Sequence, residues 1–338
     1  MTRTPTITLA IPAYGRTAET AQLLESILAS DALPDEVLLC EDLSPERDRI
    51  RELCDKFRPR FAEKSVPLVC HENPQNLGFD RNLKNLVRQS SSDWLVWMGN
   101  DDTLLKPGVE PVRTFLRNHG DVRFLSCAYE QFKGDTGLPF HVQRYFPTDT
   151  VAKTDPAHIF RLSSFISGVG VQRQWALDKE TDIFDGGLFY QVYLSASAFV
   201  EAGIGYVSKP IIGSRMGGTP LFGASATEKK FYTPGRIAAG GRANMYASVL
   251  QIADHIDATR GTQIADGIRK ELDSRQIFHV YEGFVGRPRQ EIRELYQSMQ
   301  ALGLGESRIH RLLYATAYWG GPFGPSLFRL ARKIRDSR

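Results

Sequence analysis

Trp94-Leu-Val-Trp97-Met98-Gly99-Asn100-Asp101-Asp102 is the stretch that decides the fold of this chain. An apolar run that ends abruptly in adjacent carboxylates predicts a buried strand with acids at its carboxyl end. In open α/β sheets, ligands bind in the crevice outside such strand ends. Neighbouring carboxylates repel each other and are costly to desolvate, so they favour a compensating cation. The alternative is a solvated Asp-rich turn with a helix cap, and the neighbouring strands have to decide between the two.

The first half of the chain alternates strands with helices. The predicted helices begin at about Thr17, at Ser44 and at Gly78. Strands separated by helices of this length indicate an α/β fold with a mostly parallel sheet and crossover helices. The predicted strands are Ile7 to Ile11, Glu36 to Cys40, Val66 to Cys70, Trp94 to Met98 and Val122 to Tyr129.

The pattern changes after Tyr129. Residues 130–165 are polar and interrupted by glycines and prolines, and residues 210–236 are rich in Gly, Ser and Thr. We interpret 210–236 as a mobile loop or a domain junction, and the chain from 236 onward as helical hairpins. The predicted later elements are a strand over 165–171, a helix over 188–200, a short strand over 205–207, and helices over 243–256, 264–281, 289–302 and 307–319.

Composition indicates an ordinary globular protein. The 338 residues include 42 basic and 39 acidic residues, and the net charge of +3 is too small to favour a nucleic acid as the main partner. The four cysteines form no CxxC pair and no zinc spacing, so we expect reduced thiols in a cytoplasmic protein. Residues 1–6 lack the apolar region of a signal peptide, and no window of ~18 apolar residues predicts a membrane span.

Four segments, each at a predicted strand end, point into one crevice. They are Leu9–Arg16, Leu38–Ser44, Asn73–Leu83 and Gly99–Asp102. Their order and spacing resemble the nucleotide-binding half of the GT-A glycosyltransferases of family 2. The third segment is most similar to the O-antigen type that transfers deoxysugars, such as the abequosyltransferases. The resemblance implies a GT-A fold, which is Rossmann-like, and a nucleotide-sugar donor.

The resemblance also implies roles for residues of the donor half. The loop after the first strand covers the nucleotide, and the acid after the second strand accepts a pyrimidine N–H. Asp101 faces the ribose and metal side, and Asp102 holds Mg²⁺ or Mn²⁺, which bridges the diphosphate. Two alternatives remain open: Arg81 as a surface arginine paired with Asp80 or Glu72, and Asp42 as the N-terminal acid of a helix. The implied nucleotide-binding residues are Pro12, Ala13, Tyr14, Asp42 (or Glu41), Arg81 and Asp101, with Asn100 as a donor contact and Asp102 as the metal ligand.

The acceptor half departs from the family pattern. Many inverting relatives carry a Glu-Asp pair about ten residues before a glycine, and counting back from Gly203 reaches Gln191 and Val192, which are not bases. The nearest acids, Asp182 and Asp185, are therefore the candidate catalytic bases, although Asp185 also suits a helix cap. Tyr190 and Gln191 are predicted to contact the sugar or acceptor. Inversion is the family expectation, and retention stays open.

A basic residue follows the last predicted core strand. Relatives often carry Arg-x-His there, whereas this chain reads Ser214-Arg215-Met216-Gly217-Gly218. Arg215 is expected to neutralise the diphosphate, and the glycines suit a loop that closes over bound donor. Without a histidine, the metal is expected to rest on Asp102, phosphate oxygens and water.

The tail, residues 307–338, combines apolar and aromatic residues with Lys and Arg. This composition suits an interfacial helix on an anionic membrane, on the inner face of the cytoplasmic membrane. A terminal helix that packs on the protein with a solvated basic face is an equal alternative.

Together these patterns predict a metal-dependent glycosyltransferase of surface polysaccharide (O-antigen or capsule) biosynthesis. Residues 1–215 would form the catalytic domain, with a nucleotide-sugar half over 1–129 and an acceptor half over 130–215, and 216–338 the helical C-terminal region. The acceptor would be a saccharide or a lipid-linked saccharide. The rivals are a nucleotidyltransferase, for which residues 12–16 are a poor phosphate loop, and a non-catalytic nucleotide-sugar-binding module. Patterns in the chain indicate no oligomeric state.

Overall fold

The computed structural model describes residues 4–134 and 139–336, with side chains to residue 332. Three basic residues of the predicted membrane-binding tail have no described side chain, namely Lys333, Arg335 and Arg338. The strands are Ile7–Ala13 (β1), Glu36–Glu41 (β2), Leu68–Glu72 (β3), Trp94–Trp97 (β4), Thr103–Leu104 (β5), Phe124–Lys133 (β6), Pro139–Gln143 (β7), Thr150–Ala152 (β8), Val169–Gln172 (β9) and Ile204–Met216 (β10).

The helices fall into two groups along the chain, those that connect strands and those that follow the last strand. The connecting helices are Thr17–Leu28 (α1), Arg47–Glu63 (α2), Phe79–Gln89 (α3), Glu110–Asn118 (α4), Ala157–Ser163 (α5), Arg173–Asp178 (α6) and Tyr190–Glu201 (α7). The C-terminal helices are Ala239–Arg260 (α8), Ala265–Glu271 (α9), Ile277–Glu282 (α10), Arg289–Ala301 (α11), Arg308–Trp319 (α12) and Gly324–Asp336 (α13).

One sheet organises the strands in the order β3-β2-β1-β4-β9-β6-β10-β5, with β7 paired to β6 and β8 to β10. The four strands from β3 to β4 are all parallel, and β6 is parallel to β10. Strand β9 lies antiparallel between these two parallel groups. The predicted α/β fold, a mostly parallel sheet flanked by helices with a helical C-terminal region, is therefore confirmed, and the sheet is mixed beyond β4.

Both faces of the sheet are buried, because apolar side chains alternate along its central strands. Leu9 and Ile11 belong to the cluster on one face, and Ala10 belongs to the cluster on the other. Trp94 and Trp97, three residues apart on β4, also fall into opposite clusters, as the two-residue period of a strand requires. Helices cover each face, so ligands can reach the central strands only at their ends.

Two strands differ from the sequence prediction. Strand β10 runs over 13 residues, whereas the sequence indicated only 205–207. It pairs with β6, β8 and β5, and these partners extend a segment whose own pattern is weak. Strand β9 is shorter than predicted because Gly168, with φ +86°, turns the chain immediately before it.

The C-terminal helices pack on the sheet rather than apart from it. A single apolar cluster joins Leu38 of β2 to Met245 of α8 and Tyr281 of α10. The predicted helices over 243–256, 289–302 and 307–319 correspond to α8, α11 and α12. The division into 1–215 and 216–338 stays a prediction, since this cluster spans both parts.

Candidate functional site

The predicted strand-end segments line one cavity of about 250 Å³. Because β1, β2 and β4 are parallel, their carboxyl ends lie at the same edge of the sheet, and the cavity lies there. The sequence prediction of one shared crevice therefore matches the structure. Of the predicted site residues, Pro12, Ala13, Tyr14, Asp42, Asn100 and Asp101 line this cavity.

Asp42 follows β2 and is 3% exposed. Its Oδ1 accepts hydrogen bonds from Asn73 Nδ2 and the Leu77 backbone N–H, both at 2.8 Å, and its Oδ2 accepts one from the Gly78 N–H at 2.9 Å. Burial raises the pKa of Asp42 to about 6, although these hydrogen bonds act to lower it. All these donors are neutral, and Oδ2 has a lone pair left. The carboxylate can therefore accept an N–H from a ligand.

Asparagine side chains hold the ends of β2 and β3 against α3. Asn82 Nδ2 donates to the Cys40 carbonyl at 3.1 Å, and Asn73 Nδ2 donates to Asn82 Oδ1 at 2.9 Å. Asn85 Nδ2 in turn donates to Asn73 Oδ1 at 2.7 Å. Asn73 and Asn82 are buried, so these bonds satisfy groups that would otherwise be costly to bury. Asn73 and Asn82 both belong to the third strand-end segment, Asn73–Leu83. Their hydrogen bonds give this segment a structural role, which is to hold Asp42 in position.

Asn100 and Asp101 occupy the turn after β4, and both reach the loop after β1. Asn100 Nδ2 donates to the Gly15 carbonyl at 2.8 Å. Asp101 Oδ2 lies 2.7 Å from Arg16 Nη1, and both side chains are about one-fifth exposed. Arg16 adopts the left-handed conformation, with φ 62°, which is unfavourable for a residue with a Cβ. The strained turn brings a guanidinium and a carboxylate together on the cavity wall.

Asp102 has a different environment from the one expected of a metal ligand. It is 4% exposed, its Oδ2 accepts from the Ser167 hydroxyl at 2.5 Å, and its Oδ1 accepts from the Arg215 backbone N–H at 2.8 Å. Burial, followed by the nearby charge of Asp101, raises its pKa to about 7. Asp102 lines neither this cavity nor the adjoining one described below. The side chain of this pair that a ligand can reach is Asp101.

A segment from the second half closes the cavity. Residues 220–228, the cap segment, contribute Pro220, Leu221, Phe222, Ala224 and Glu228 to its wall. The sequence indicated a mobile loop here and gave no role to Glu228. In the sequence, Glu228 is a single acid in a Gly/Ser/Thr-rich stretch, and such a pattern does not distinguish a structural acid from a solvent-exposed one.

Glu228 fastens the cap segment to α3. It is 2% exposed, and its two oxygens accept from the Phe79 N–H at 2.6 Å and the Gly223 N–H at 2.8 Å. At Gly78, with φ +82°, a Cβ would lie 2.5 Å from Ser225 Oγ and 2.8 Å from Glu228 Oε1. Glycine is therefore required where the cap segment meets the motif before α3.

A second cavity of about 430 Å³ adjoins the first and shares Arg16, Asp101 and Pro220 with it. Gln131 and Arg215, from the predicted acceptor half, are among its lining residues. The Arg215 guanidinium donates to the Asp101 carbonyl at 3.0 Å and to the Gly134 carbonyl at 2.7 Å. Arg16 also donates to a backbone carbonyl, that of Thr219, at 2.7 Å, and differs from Arg215 in lining both cavities.

Asp182 and Asp185 lie with cations outside both cavities. Asp185, 6% exposed, accepts from Arg81 Nε at 2.5 Å and lies 2.7 Å from Lys84 Nζ. Lys84 is 1% exposed and also pairs with Asp182. The structure therefore places the two predicted bases beside Arg81, which was predicted to bind the nucleotide. These residues form ion pairs in a cluster around Lys84. None of these four residues lines either cavity.

The start of α7 is held by a buried acid to which the sequence had assigned no function. Asp80, 2% exposed, accepts backbone N–H groups of Gly186, Leu188 and Tyr190 at 2.9 to 3.0 Å. Tyr190 and Gln191 are 1% and 2% exposed and line neither cavity. The expected contact of these two residues with a sugar or acceptor has no counterpart in this arrangement, because α7 buries both side chains.

The residues present can hold a divalent cation only in part. Residues 4–134 and 139–332 contain no group of three or more His, Cys, Asp or Glu side chains arranged to bind a metal. Of the acid pair after β4, Asp101 is the carboxylate that lines a cavity. Mg²⁺ keeps several water ligands and commonly uses one or two carboxylates plus substrate phosphates. The donor set fits a cation held mainly by a ligand's phosphates and anchored to the protein through Asp101.

Comparisons with known proteins agree with this arrangement. The profile of glycosyl transferase family 2 matches residues 8–170. Abequosyltransferase RfbV of Salmonella typhimurium is 23% identical over 227 residues, which cover 61% of this chain and 65% of that protein. An uncharacterized glycosyltransferase of Haemophilus influenzae is 25% identical over 119 residues, covering 35% of this chain and 37% of that one. The matches thus span less than two thirds of the length of each relative.

The fold is also found in solved structures. The crystal structure of S. aureus TarS 1-349 in complex with UDP-GlcNAc superposes with a TM-score of 0.62 at 14% identity, covering 97% of this chain and 92% of that one. At this identity the likeness shows the fold alone, which is that of the GT-A glycosyltransferases. Together with the matched profile and the strand-end cavity, it shows that residues 8–170 of this chain are similar to glycosyl transferase family 2 and that the chain has the fold of the GT-A glycosyltransferases.

Proposed function

We propose that the chain transfers a sugar from a nucleoside diphosphate-sugar to a saccharide or lipid-linked saccharide during O-antigen or capsule biosynthesis. The observation that carries this proposal is one cavity, at the ends of parallel strands, with Asp42 and Asp101 both on its wall. The match to the profile of glycosyl transferase family 2 supports the reaction class, and the similarity to an abequosyltransferase supports the polysaccharide context. The transfer of a hexosyl or deoxyhexosyl group and inversion at the sugar are the family expectations and stay proposals.

In this proposal the nucleotide lies with its base at Asp42. Oδ2 of Asp42 accepts an N–H from the edge of a pyrimidine, and Tyr14 and Phe222 supply aromatic surface on the same wall. The diphosphate lies toward Arg16, whose guanidinium offers a fork of donors to phosphate oxygens. Arg16 takes the phosphate-binding role that the sequence suggested for Arg81, because Arg81 pairs with Asp185 outside the cavity.

For the cofactor we propose Mg²⁺ or Mn²⁺ on Asp101, in place of Asp102. Such an ion, when bound, neutralises charge that develops on the departing nucleoside diphosphate. Asp102 fixes the turn through Ser167 and the Arg215 backbone. Arg16 pairs with Asp101 where the two cavities meet, so its guanidinium is within reach of a phosphate bound beside Asp101.

The acceptor, we propose, enters the cavity of about 430 Å³, which meets the donor cavity at Arg16 and Asp101. Several residues of the predicted acceptor half, 130–215, line this second cavity, which supports its assignment to the acceptor. For Asp182 and Asp185 we propose an ion-pair role around Lys84 instead of the base role, because neither reaches a cavity. Action on the cytoplasmic face of a membrane stays a proposal that follows from a lipid-linked acceptor.

A donor panel tests the function. UDP-, dTDP-, CDP- and GDP-sugars are each incubated with the protein and Mn²⁺, and nucleotide release and protection against thermal unfolding are measured. We expect one donor class to raise the unfolding temperature and to release nucleotide when acceptor is added, with chelator abolishing release. A nucleotidyltransferase would release pyrophosphate from nucleoside triphosphates instead. If no sugar nucleotide protects the protein, the proposal is wrong.

A further inference from the structure

Exposed apolar side chains are concentrated in the last two helices. Thirteen large hydrophobic residues are exposed among the described side chains, and six of them lie within 309–330. The proportion is far above that expected from 22 residues of 338, so a general surface tendency does not account for it. The six are Ile309 (50%), Leu312 (66%), Trp319 (69%), Phe323 (76%), Leu327 (48%) and Leu330 (56%).

The exposed residues follow helical spacing on both helices. On α12, Ile309, Leu312 and Trp319 are separated by three and seven residues. Leu327 and Leu330 are three residues apart on α13, and Phe323 stands in the short 3₁₀ turn just before it. Side chains at these intervals share one face of a helix. Each helix therefore presents an apolar stripe outward, and the short connection between them carries Trp319 at the end of the first stripe and Phe323 before the second.

The opposite sides of both helices are fixed to the protein. Leu313 and Phe328 are buried in the main apolar cluster. His310 is fully buried on α12, where its Nδ1 lies 2.5 Å from Asp273 Oδ1 and its Nε2 lies 3.0 Å from the Tyr281 hydroxyl. The outward stripes are thus held in place by packing, and burying them inward would require these contacts to break.

Basic residues border the two apolar stripes, and this part of the chain contains no acidic residue. Residues 307–335 contain five arginines and one lysine and no Asp or Glu. Of the arginines with described side chains, Arg308, Arg311 and Arg329 are exposed, and Arg332 pairs with Glu282. Among residues 4–134 and 139–332, no helix is long and apolar enough to cross a membrane. Apolar residues that include tryptophan, bordered by cations, match the interface of an anionic bilayer.

We propose that α12, α13 and the turn between them form a docking face for an anionic lipid bilayer. The apolar stripes enter the boundary between headgroups and acyl chains, and the arginines contact lipid phosphates. A bilayer is favoured over a second copy of the chain because a symmetric contact through this face would bring the exposed arginines of two copies together with no acid of residues 307–335 between them. The proposal is independent of the sugar-transfer function, since vesicle binding needs neither donor nor acceptor.

Vesicle co-sedimentation of the full chain tests this face. One set of vesicles contains phosphatidylcholine alone, and the other contains phosphatidylcholine with phosphatidylglycerol. We expect binding to the anionic vesicles that weakens with salt, and at least about ten-fold weaker binding for the Phe323→Glu/Leu327→Glu variant. The matched control is Phe140→Glu, because Phe140 on β7 is 62% exposed and lies outside both cavities.

Further arms separate the alternatives. Arg308→Glu/Arg329→Glu should weaken binding to anionic vesicles at low salt and have little effect at high salt. Circular dichroism and the unfolding temperature show whether each variant folds. Equal binding by the Phe323→Glu/Leu327→Glu variant and the control would overturn the proposal. So would absence of vesicle binding together with a light-scattering mass of a dimer that this variant converts to a monomer.

Discussion

Two groups of acids near the sheet have opposite environments. Asp42 and Asp101 lie on a cavity wall at the ends of parallel strands, where Asp42 contacts only neutral donors. Asp182 and Asp185 contact the cations Lys84 and Arg81 and line no cavity. Asp101 is also paired, with Arg16, but it lies on the cavity wall where a ligand can reach it. The ion pairs of Asp182 and Asp185 lie away from both cavities, so the two groups differ in access to a ligand.

The largest effect is expected at the junction of the two cavities. Asp101→Ala should lower sugar transfer by at least about 100-fold, because it removes the accessible carboxylate at the proposed diphosphate site. Turnover is measured as nucleotide release at saturating donor. Asp121→Ala, an exposed aspartate outside both cavities, is the control. Turnover by Asp101→Ala equal to that of the control would remove Asp101 from the site.

The second group should respond in stability instead. Asp185→Asn leaves the buried Lys84 without its buried partner and should lower the free energy of unfolding by about 3 kcal/mol. Asp182→Asn is the matched control, and with that side chain 75% exposed it should cost less than about 1 kcal/mol. Denaturant titration gives both values. Loss of turnover by Asp185→Asn with stability unchanged would restore Asp185 as a base and break the distinction between the groups.

The cap segment links the two halves of the site. Glu228→Gln keeps one acceptor and loses the other, so a buried N–H of Phe79 or Gly223 is left unsatisfied, at a cost of about 1–2 kcal/mol. We expect a roughly ten-fold rise in the Kd for nucleotide as the cap segment loosens. Calorimetric titration measures it, with the exposed Lys229→Ala as control. An unchanged Kd would mean that the cap segment does not enclose the nucleotide.

The smallest effect is a pH dependence at Asp42. Its pKa is raised to about 6, so its share of the free energy of unfolding is greatest below about pH 4 and is lost as the pH rises through 6. Pyrimidine binding has the opposite sign, because only the carboxylate accepts the N–H. Affinity should fall about four-fold from pH 7.5 to 5.5, and Asp42→Asn should remove this dependence. A pH profile that persists in Asp42→Asn would assign it to another group.

The sequence indicated that the strand-end segments share one crevice, because strand-end motifs are local and parallel strands place them at one edge of the sheet. The family resemblance then singled out Asp42 and Asp101 within these segments, and their roles stay predictions. The partners of an acid are not local. Asp185 lies 101 residues from Lys84, and Glu228 lies 149 residues from Phe79, so neither pairing leaves a pattern in the chain. Asp101 and Asp102 are adjacent in sequence, and only tertiary burial distinguishes them.

The most direct test of the account is a crystal structure with the nucleoside diphosphate that gives the greatest thermal protection. We predict that its base lies within hydrogen-bonding distance of Asp42 and that its diphosphate lies at Arg16 and Asp101, beneath the cap segment. A nucleotide bound at Asp182 and Asp185, or outside the strand-end cavity, would contradict the central claim.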